Sequence, residues 1–554
     1  MQQASDDEIQ LATDGFVDST KPPPIADRLS LAVILVVLVG GAERFCCYAV
    51  STPWQNYIQN SPSSGTRSLP GALGLGQSRA TSINNAHMIF TFLTPMPMAL
   101  LSDLHLGRFR TLLVSLLIYS AGALIQFASS LPTALEHSAG VGGLAASMIL
   151  IGIGQGGVKA TFSPFLGDQC LTEPRIVSRR SGRKATLDRS LTLQLIYNVF
   201  YWATNIASLS SVPATFLERL CGFWTAYLLV FLPLWVLIAL LVFSRRISVV
   251  VPPQGNILPP AMKVMACAAR NGFKLDHAKS DYQISHHGKA GSWSDSFVED
   301  IRLTLRTSRV LLSFTIFYLC VNQMYTNLIS QAGQVNLGGV PNDMTQAIAG
   351  IACVLLSPLI RAGYAFLARR HIVPGSMRMI TFAFFLCAVA MAYSAGIQQL
   401  IYNTGPCYRF PRGCPAAGPE GRANNISVWV QTPVYFIFAA AEIFGFVKAS
   451  EYSYTNSPKQ AKSIVQALTQ WAACGGSMLG LAISPVAKDP DLVVYYSSLA
   501  AVMVVSAGLF CGIFRQLDRD EKAGRINEQE TFVETNEGEV RVDRMEEMGE
   551  EKAH

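Results

Sequence analysis

Long apolar stretches alternate with short polar connections along almost the whole sequence. A helix needs about 20 apolar residues to cross the roughly 30 Å hydrocarbon core of a bilayer. Only 14% of the 554 residues are charged, against about 25% in soluble domains. We therefore predict an all-α membrane protein; the second and seventh candidate spans are the least clean apolar stretches. The twelve candidate spans lie near 31–50, 83–101, 111–131, 143–166, 191–212, 223–243, 310–328, 347–367, 379–402, 427–447, 464–486 and 492–514.

A polar stretch in the middle of the chain divides the twelve predicted helices into two groups of six. Two bundles of this kind are typical of secondary transporters, whose substrate site lies near the membrane midplane. The net charge of +6 does not require a nucleic-acid partner. The predicted organisation is an N-terminal tail (1–29), a first six-helix bundle (30–244), a cytoplasmic linker (245–307), a second six-helix bundle (308–515) and a C-terminal tail (516–554).

Basic residues are concentrated in alternate connections, while the connections between them are nearly free of Lys and Arg, Arg219 being the exception. The positive-inside rule places the basic connections, and with them both termini, in the cytoplasm. The acidic N-terminal segment does not resemble a signal peptide. We expect a monomeric, multi-pass protein of the plasma membrane. The basic residues are Arg108 and Arg110 (2–3 connection), Arg175, Arg179, Arg180, Arg183, Lys184 and Arg189 (4–5), and Arg369, Arg370 and Arg378 (8–9).

Five charged residues stand out within or close to predicted spans: Glu43, Arg44, Lys159, Glu442 and Glu451. Such residues usually face a cavity or a partner, although a long side chain near a helix end can instead reach the interface. Nine residues separate Glu442 from Glu451, which in a regular helix places them on opposite faces, about 13 Å apart in depth. Lys159 and Glu451 are predicted to pair across a central cavity as a gate.

The stretch GIGQGGVKATFSPFLGDQ (152–169) allows two interpretations. Gly152, Gly154 and Gly157 fit G-x-G-x-x-G, which binds a dinucleotide when it follows a strand in a βαβ unit. Here the glycines lie within an apolar span, where small residues let helices pack closely. The second interpretation is favoured, and it leaves Lys159 as one ammonium group on a tightly packed helix. No metalloprotease, nucleophile-elbow or P-loop motif is present, so we expect no enzyme, metal or cofactor.

Two spans combine aromatic and amide side chains: YNVFYWATNIASLS in the fifth and FYLCVNQMYTN in the seventh. Amides donate and accept hydrogen bonds, which suits a polar organic substrate, although single amides more often join helices. Cys407 and Cys414 share one predicted outer connection, where an oxidising exterior permits a disulfide. The sequence leaves that pairing open.

Five segments in chain order carry a resemblance to a known family: GAERFCCYAV, ALLSDLHLGRFRTLL, GQGGVKATFSPFLGDQ, VFYWATNIASL and EIFGFVKASEYSYTNSPKQAKSIVQAL. They resemble the motifs of the proton-dependent oligopeptide transporters (POT/PTR) of the major facilitator superfamily, most closely the fungal branch. The resemblance covers roughly 30–515. It implies the major facilitator fold, with 12 transmembrane helices in two six-helix bundles. It also implies proton-coupled uptake of di- and tripeptides by alternating access.

The resemblance also implies roles for single residues, carried over motif by motif. Glu43, Arg44 and Lys159 would couple protons and hold the peptide carboxylate, while Asn205 and Glu451 would receive the peptide amino group. Cations for a carboxylate and an anion for an ammonium are what a zwitterionic peptide requires. The predicted proton-coupling residues are Glu43, Arg44, Lys159 and Glu451. The predicted substrate-binding residues are Arg44, Tyr48, Lys159, Asn205, Gln323 and Glu451.

Several positions depart from the family pattern. Gly40 stands where the first motif of the family has a glutamate, so the predicted cluster of Glu43, Arg44 and Lys159 holds one anion and two cations. Nearby positive charge favours a carboxylate, and Glu43 should therefore be harder to protonate. Coupling would then be lost or shifted towards Glu451, or the extra positive charge would serve an anionic cargo. The alternatives are a transporter of a peptide-like secondary metabolite or organic anion, imported or exported, and a non-transporting sensor. The departures are Gly40 for Glu, Cys47 for Tyr, Ala349 for Asn, Arg361 for Asp, and Asn85 for a histidine, with His87 two residues away.

Overall fold

The computed structural model describes most of the chain and is largely helical. Residues are described in the ranges 24–62, 69–170, 175–178, 184–252, 258–272, 274–287, 293–370, 375–417, 423–455 and 462–517. They divide into two compact units. The first contains the described residues as far as Pro259, together with Leu337–Ile351. The second contains Pro260–Asn336 and the described residues from Ala352 onward.

The first unit is built around long helices that correspond to the first six predicted spans. Its described α-helices are α1 (Leu31–Ser51), α2 (Trp54–Gln59), α3 (Gln77–Leu93), α4 (Pro95–Leu101), α5 (Arg108–Ser129), α6 (Pro132–Glu136), α7 (Ala139–Asp168), α8 (Arg189–Ala207), α9 (Ser211–Cys221) and α10 (Phe223–Ser244). Their apolar faces form two buried clusters, one around Tyr57, Tyr119 and Tyr227, the other around Leu112, Phe162 and Phe165.

The second unit repeats this construction. Two of its helices cross the sequence boundaries between the units: α11 starts two residues before Pro260, and α16 begins within Leu337–Ile351. The described α-helices are α11 (Leu258–Arg270), α12 (Ser280–His287), α13 (Asp295–Leu312), α14 (Thr315–Val321), α15 (Asn327–Gly333), α16 (Thr345–Arg369), α17 (Ser376–Asn403), α18 (Thr432–Glu442), α19 (Lys448–Thr455), α20 (Lys462–Ile483) and α21 (Leu492–Leu517).

Ten helical segments of the described chain are long and apolar enough to cross a membrane. They coincide with ten of the twelve predicted spans. The other two, the fifth and the eleventh, correspond to α8 and α20, which are helical but more polar. The helical pattern predicted from hydropathy is therefore confirmed. α11, α12 and the first part of α13 also fold much of the predicted linker.

The second and seventh spans, which have the least clean apolar patterns, are interrupted. In the second, Pro95 begins a new helix and a π-helical turn follows at Ser102–Leu106. Proline has no N–H to continue the helical ladder. The seventh breaks at a 3₁₀ turn, Asn322–Tyr325. It also begins at Asp295 rather than near 310, because the amphipathic segment before the apolar core is helical too.

The glycines of α7 serve helix packing. A Cβ atom on Gly154 would lie 2.6 Å from the Cβ of Tyr119, and one on Gly157 would overlap Ser115. Tyr119 and Ser115 belong to α5, so the backbone of α7 at these two glycines packs directly against α5. Because α7 is one continuous helix from Ala139 to Asp168, no strand precedes the glycines. The packing interpretation is confirmed and the dinucleotide interpretation is excluded.

Short β-strands lie in the connections between the helices and pair with one another. β1 (Pro24–Ile25) pairs in parallel with β3 (Lys184–Leu187), aligning Ile25 with Leu187, and β2 (Arg175–Ser178) pairs antiparallel with β3, aligning Ile176 with Thr186. In the second unit β4 (Val335–Asn336) pairs in parallel with β5 (Asn424–Ser427). Cys407 and Cys414 form a disulfide, which answers the question that the sequence left open.

Candidate substrate and proton-coupling site

Glu43 and Arg44 form an ion pair on α1. Arg44 Nε lies 2.8 Å from Glu43 Oε2, and the carboxylate is buried, with 1% of its surface exposed. The other oxygen, Oε1, has no hydrogen-bond donor among the described residues. Tyr48, one turn later, is within electrostatic range of Arg44. Because Glu43 is already bonded to Arg44, its charge is largely compensated within α1.

Lys159 lies half-buried on α7, as predicted. Its Nζ lies 4.7 Å from the centre of the Phe92 ring and within electrostatic range of Arg44, Cys47 and Glu43. Among the described residues, no carboxylate is in ion-pair contact with Lys159. A cation–π contact offsets only part of the cost of desolvating an ammonium group. The predicted role of Lys159 in holding a substrate carboxylate stays a prediction.

The position of Gly40 has no room for a side chain. A Cβ there would lie 2.7 Å from Phe200 Cε2 and closer still to the Phe162 ring. These two rings pack against each other with centres 4.9 Å apart, and Phe162 is buried. The absence of the family glutamate thus goes together with an aromatic pair that fills its place, which no motif comparison indicated.

Asn205 lies on α8, where its amide donates to the Tyr201 carbonyl at 2.9 Å. Its backbone carbonyl accepts from Ser208 Oγ at 2.7 Å, and no donor to its side-chain oxygen Oδ1 occurs among the described contacts. Tyr201 and Trp202 on the same helix are about two-fifths exposed, so α8 presents aromatic surface next to this amide. Tyr197 instead donates to the Ser163 carbonyl of α7 and joins the two helices. The fifth span therefore contains both structural contacts and polar groups with free capacity.

Gln323 lies in the 3₁₀ turn of the seventh span and is fully buried in the second unit. Its amide nitrogen donates to the Leu319 carbonyl, and its oxygen accepts from Asn327 at 2.8 Å and from Tyr495 at 3.1 Å. These bonds occupy both ends of the amide. Substrate binding by Gln323 stays a prediction, and it would require one of these bonds to exchange.

Glu451 belongs to α19, but its side chain lies outside the described residues, so the predicted pairing with Lys159 stays a prediction. The register argument for Glu442 is wrong, because a π-helical turn, Ile443–Val447, follows this residue directly. One extra residue in a turn shifts the face by about 100°. Glu442 and Glu451 therefore do not stand on opposite faces of one regular helix.

The departures from the family pattern occupy different environments. Asn85 is buried and donates to the Thr81 carbonyl of its own helix. His87 packs edge-on against Trp54, with ring centres 4.6 Å apart, and contacts Thr91. Arg361 is exposed. Within the described part of the chain, Asn85 and His87 make no hydrogen bond to Glu43, Arg44 or Lys159.

Sequence patterns missed two parts of this unit. Phe92 and Phe162 shape the surroundings of Lys159 and Gly40, but aromatic residues within an apolar span give no signal of their own. Glu218 and Asp343, two buried carboxyl groups, were also overlooked, because both fall in connections where acidic residues look ordinary. No cluster of three or more metal-ligating side chains occurs within the described ranges.

Comparison with known proteins places these features in a family. The model of the POT family (PTR2) matches residues 109–501. Peptide transporter PTR_A of Candidozyma auris is 34% identical over 534 residues, covering 95% of this chain and 89% of its own length. Peptide transporter PTR2 of Saccharomyces cerevisiae is 30% identical over 508 residues, covering 91% of this chain and 82% of its own length.

Among solved structures, the POT family transporter PepTSo aligns with a TM-score of 0.69 at 18% identity, covering 89% of this chain and 99% of its own. The predicted fold class, an all-α membrane protein with the major facilitator fold, is thereby confirmed. The family model covers well over half of the chain, and the relatives are similar over nearly all of it. The chain belongs to the POT family of transporters.

Proposed function

We propose that this chain is a secondary active transporter that takes up di- and tripeptides together with protons by alternating access. Support comes from its membership of the POT family and from relatives named as peptide transporters across 80–90% of their length. None of these relatives is named as an enzyme. The motif residues Glu43, Arg44, Lys159, Asn205 and Glu451 are the basis for a zwitterionic substrate.

The observation that carries the proposal is Lys159, an ammonium group in a membrane helix with an aromatic ring, rather than a carboxylate, as its described contact. Charge in a span is retained where it has a function. A peptide C-terminus would supply the missing carboxylate through a charge-assisted hydrogen bond. Arg44, already bonded to Glu43, would become available to the peptide when Glu43 takes up a proton.

One observation favours the alternative cargo. The rings of Phe162 and Phe200 fill the place of the family glutamate at Gly40, so one negative charge of the motif cannot be restored by a small rearrangement. The surplus cation would then suit an organic anion or an acidic peptide-like metabolite. Competition between labelled dipeptide and a panel of such anions separates the two cargoes.

Uptake into proteoliposomes tests the proposal. With an inward proton gradient, we expect labelled dialanine or trialanine to accumulate, and a protonophore to abolish the accumulation. If no di- or tripeptide accumulates at any pH while an organic anion does, the peptide assignment is wrong and the alternative holds.

Lys159→Gln tests the observation itself. Losing the charge-assisted contact should lower peptide uptake at least about tenfold, equivalent to about 1.4 kcal/mol. Lys448→Gln is the matched control, because Lys448 Nζ also lies over an aromatic ring, at 5.2 Å from the centre of Tyr364. We expect the control to retain uptake. Equal losses in both variants would show that any lysine–aromatic contact matters and would remove the special role of Lys159.

Plasma-membrane location, cytoplasmic termini, protons as co-substrate and a monomeric state belong to the same proposal. The basic 2–3, 4–5 and 8–9 connections support the orientation. Epitope tags at the two ends should be inaccessible to antibody in intact cells and accessible after permeabilisation. Uptake that persists without either tail would argue against the sensor alternative.

A further inference from the structure

A pair of buried carboxyl groups lies in the first unit, away from the motif residues. Glu218 is in the last turn of α9, and Asp343 precedes α16 in the segment Leu337–Ile351. Their exposed fractions are 2% and 0%. The two carboxyl groups are within hydrogen-bonding distance of each other. Both residues lie in connections between spans, on the side that the positive-inside rule places opposite the cytoplasm.

Asn56 of α2 fixes this pair in place. Its Nδ2 donates to Glu218 Oε1 at 3.0 Å and to Asn342 Oδ1 at 2.9 Å, and Asn342 Nδ2 donates back to Asn56 Oδ1 at 2.9 Å. The asparagine pair attaches the segment Leu337–Ile351 to α2 and α9. It supplies one donor to Glu218 and, among the described contacts, none to Asp343.

The remaining oxygens have no donor of ordinary geometry. Glu218 Oε2 and both Asp343 oxygens are buried and unbonded within the described chain. Arg219, the neighbouring cation, donates to the Gly339 carbonyl instead, and no described ion pair involves either carboxyl group. Tyr227 of α10 is the tyrosine within electrostatic range of both carboxyl groups, and Tyr57 of α2 packs edge-on against Tyr227. Two adjacent buried carboxylates without a cation cannot both be charged.

Local structure decides which group carries the proton. Glu218 lies at the C-terminal, negative end of α9, which disfavours a carboxylate. Burial, and next the facing Asp343 carboxyl group, raise the pKa of Glu218 well above its ordinary value. Burial also raises the pKa of Asp343, but the facing Glu218 carboxyl group, when it carries the proton, and the nearby N–H groups of Asp343 and Met344 favour the charged form of Asp343. Glu218 is therefore the donor and Asp343 the acceptor.

We propose that Glu218 and Asp343 are a proton-binding site in which one shared proton holds the segment Leu337–Ile351 on the first unit. When that proton leaves, two buried negative charges face each other and the segment detaches. If the proposed function holds, this site offers the transporter a proton position additional to Glu43 and Glu451. The proton and the attachment exist independently of which substrate is carried.

The direction of the pH dependence follows from the charge of the pair. A buried carboxyl group with a raised pKa contributes stability at low pH, and this stability is lost as the pH rises through the pKa of the folded state. Attachment should therefore be strongest in acid and weaken towards alkaline pH. Because opening releases one proton, the opening equilibrium becomes about tenfold more favourable per pH unit between the ordinary pKa of the open state and the raised pKa of the closed state, and it does not change further above the raised pKa.

Hydrogen–deuterium exchange measures how the attachment of this segment depends on pH. The full chain is studied in detergent at several pH values from about 5 to about 9. After correction for intrinsic exchange, the amides of Leu337–Ile351 should lose protection by up to about tenfold per pH unit as the pH rises towards the raised pKa of the pair, and the protection should then level off. In Glu218→Gln the amide replaces the protonated carboxyl group, so protection should persist at every pH. Asp343→Asn should also remove the slope.

Asp489→Asn is the matched control. Asp489 is a carboxylate in a connection of the second unit that accepts from Gln334 at 2.9 Å and from Tyr402, and this variant should keep the wild-type slope in Leu337–Ile351. A wild-type segment whose protection does not change with pH overturns the proposal without any variant. Protection that follows Na⁺ or K⁺ concentration at fixed pH overturns it in favour of a bound cation. Neither outcome depends on peptide transport.

Discussion

The first unit contains two buried carboxyl sites that are compensated in opposite ways. At the motif site, one carboxylate, Glu43, faces two cations, Arg44 and Lys159. At the second site, Glu218 and Asp343 face each other, and the neighbouring Arg219 binds a backbone carbonyl instead. Among the described residues, the first site has an excess of positive charge and the second an excess of negative charge.

This difference indicates which ligand each site is suited to bind. A site with spare positive charge is completed by an anion, which a peptide carboxylate provides. A site with two carboxyl groups and no cation is completed by a proton, the smallest ligand that removes the repulsion. Substrate and proton would then occupy separate positions in one unit. Adding a carboxyl group to each site in turn is the most direct test of this difference in charge balance.

Asn56→Asp should have the largest effect. It replaces the amide that donates to Glu218 and Asn342 by a third carboxyl group in a buried cluster without a cation. We expect about 3 kcal/mol of destabilisation, seen as a lower apparent melting temperature in detergent. The loss should be greater at alkaline than at acid pH, because acid protonates the added group.

Asn84→Asp provides the control, since Asn84 is buried in the same unit and donates to Gln55 rather than to a carboxyl group. Its effect should be smaller than that of Asn56→Asp. If both variants lose the same stability with the same pH dependence, the carboxyl pair has no special charge balance and the comparison fails.

Gly40→Glu adds a carboxyl group to the positively charged site and should have an intermediate effect. Its charge is favourable beside Arg44, one turn along α1, but its side chain collides with Phe162 and Phe200. Overpacking of this kind costs about 2 kcal/mol. Thermal unfolding should show the loss at every pH, because its origin is steric.

The double variant Gly40→Glu with Phe162→Ala separates charge from volume. Removing the ring should recover much of the stability that Gly40→Glu loses, and proton-driven uptake should then become steeper with pH than in Phe162→Ala alone. If uptake by the two variants follows the same pH profile, Gly40 has no part in coupling, and the charge balance at this site is incidental.

Arg219→Gln should have the smallest effect. The variant loses one partly exposed hydrogen bond to Gly339, worth about 0.5 kcal/mol. Because Arg219 does not neutralise Glu218 or Asp343, the pH slope of exchange in Leu337–Ile351 should be unchanged. A flattened slope would identify Arg219 as the counter-ion of the pair and would make the two sites alike.

Much of the fold could be predicted because hydropathy acts over continuous segments. Apolar stretches located the helices, but the interruptions at Pro95 and Asn322 were not predicted, because such turns leave most of the apolar pattern intact. The register of Glu442 and Glu451 could not be predicted, because a π-helical turn at Ile443–Val447 leaves no distinct mark in a hydropathy pattern. The resemblance located Lys159 and Glu43, but the ring that occupies the space at Gly40 comes from Phe162 on another helix.

The sequence alone determined that this chain crosses a membrane many times, that it belongs with the peptide transporters, and that charges lie inside its spans. These are properties of composition and local order, which solvent transfer and motif spacing make visible. The tertiary structure was needed to show that, among the described residues, Phe92 and no carboxylate contacts Lys159, and that Glu218 lies beside Asp343 although 125 positions separate them in the sequence. Charge compensation depends on distances in space and on exclusion of water, and neither can be read from the order of residues in the sequence.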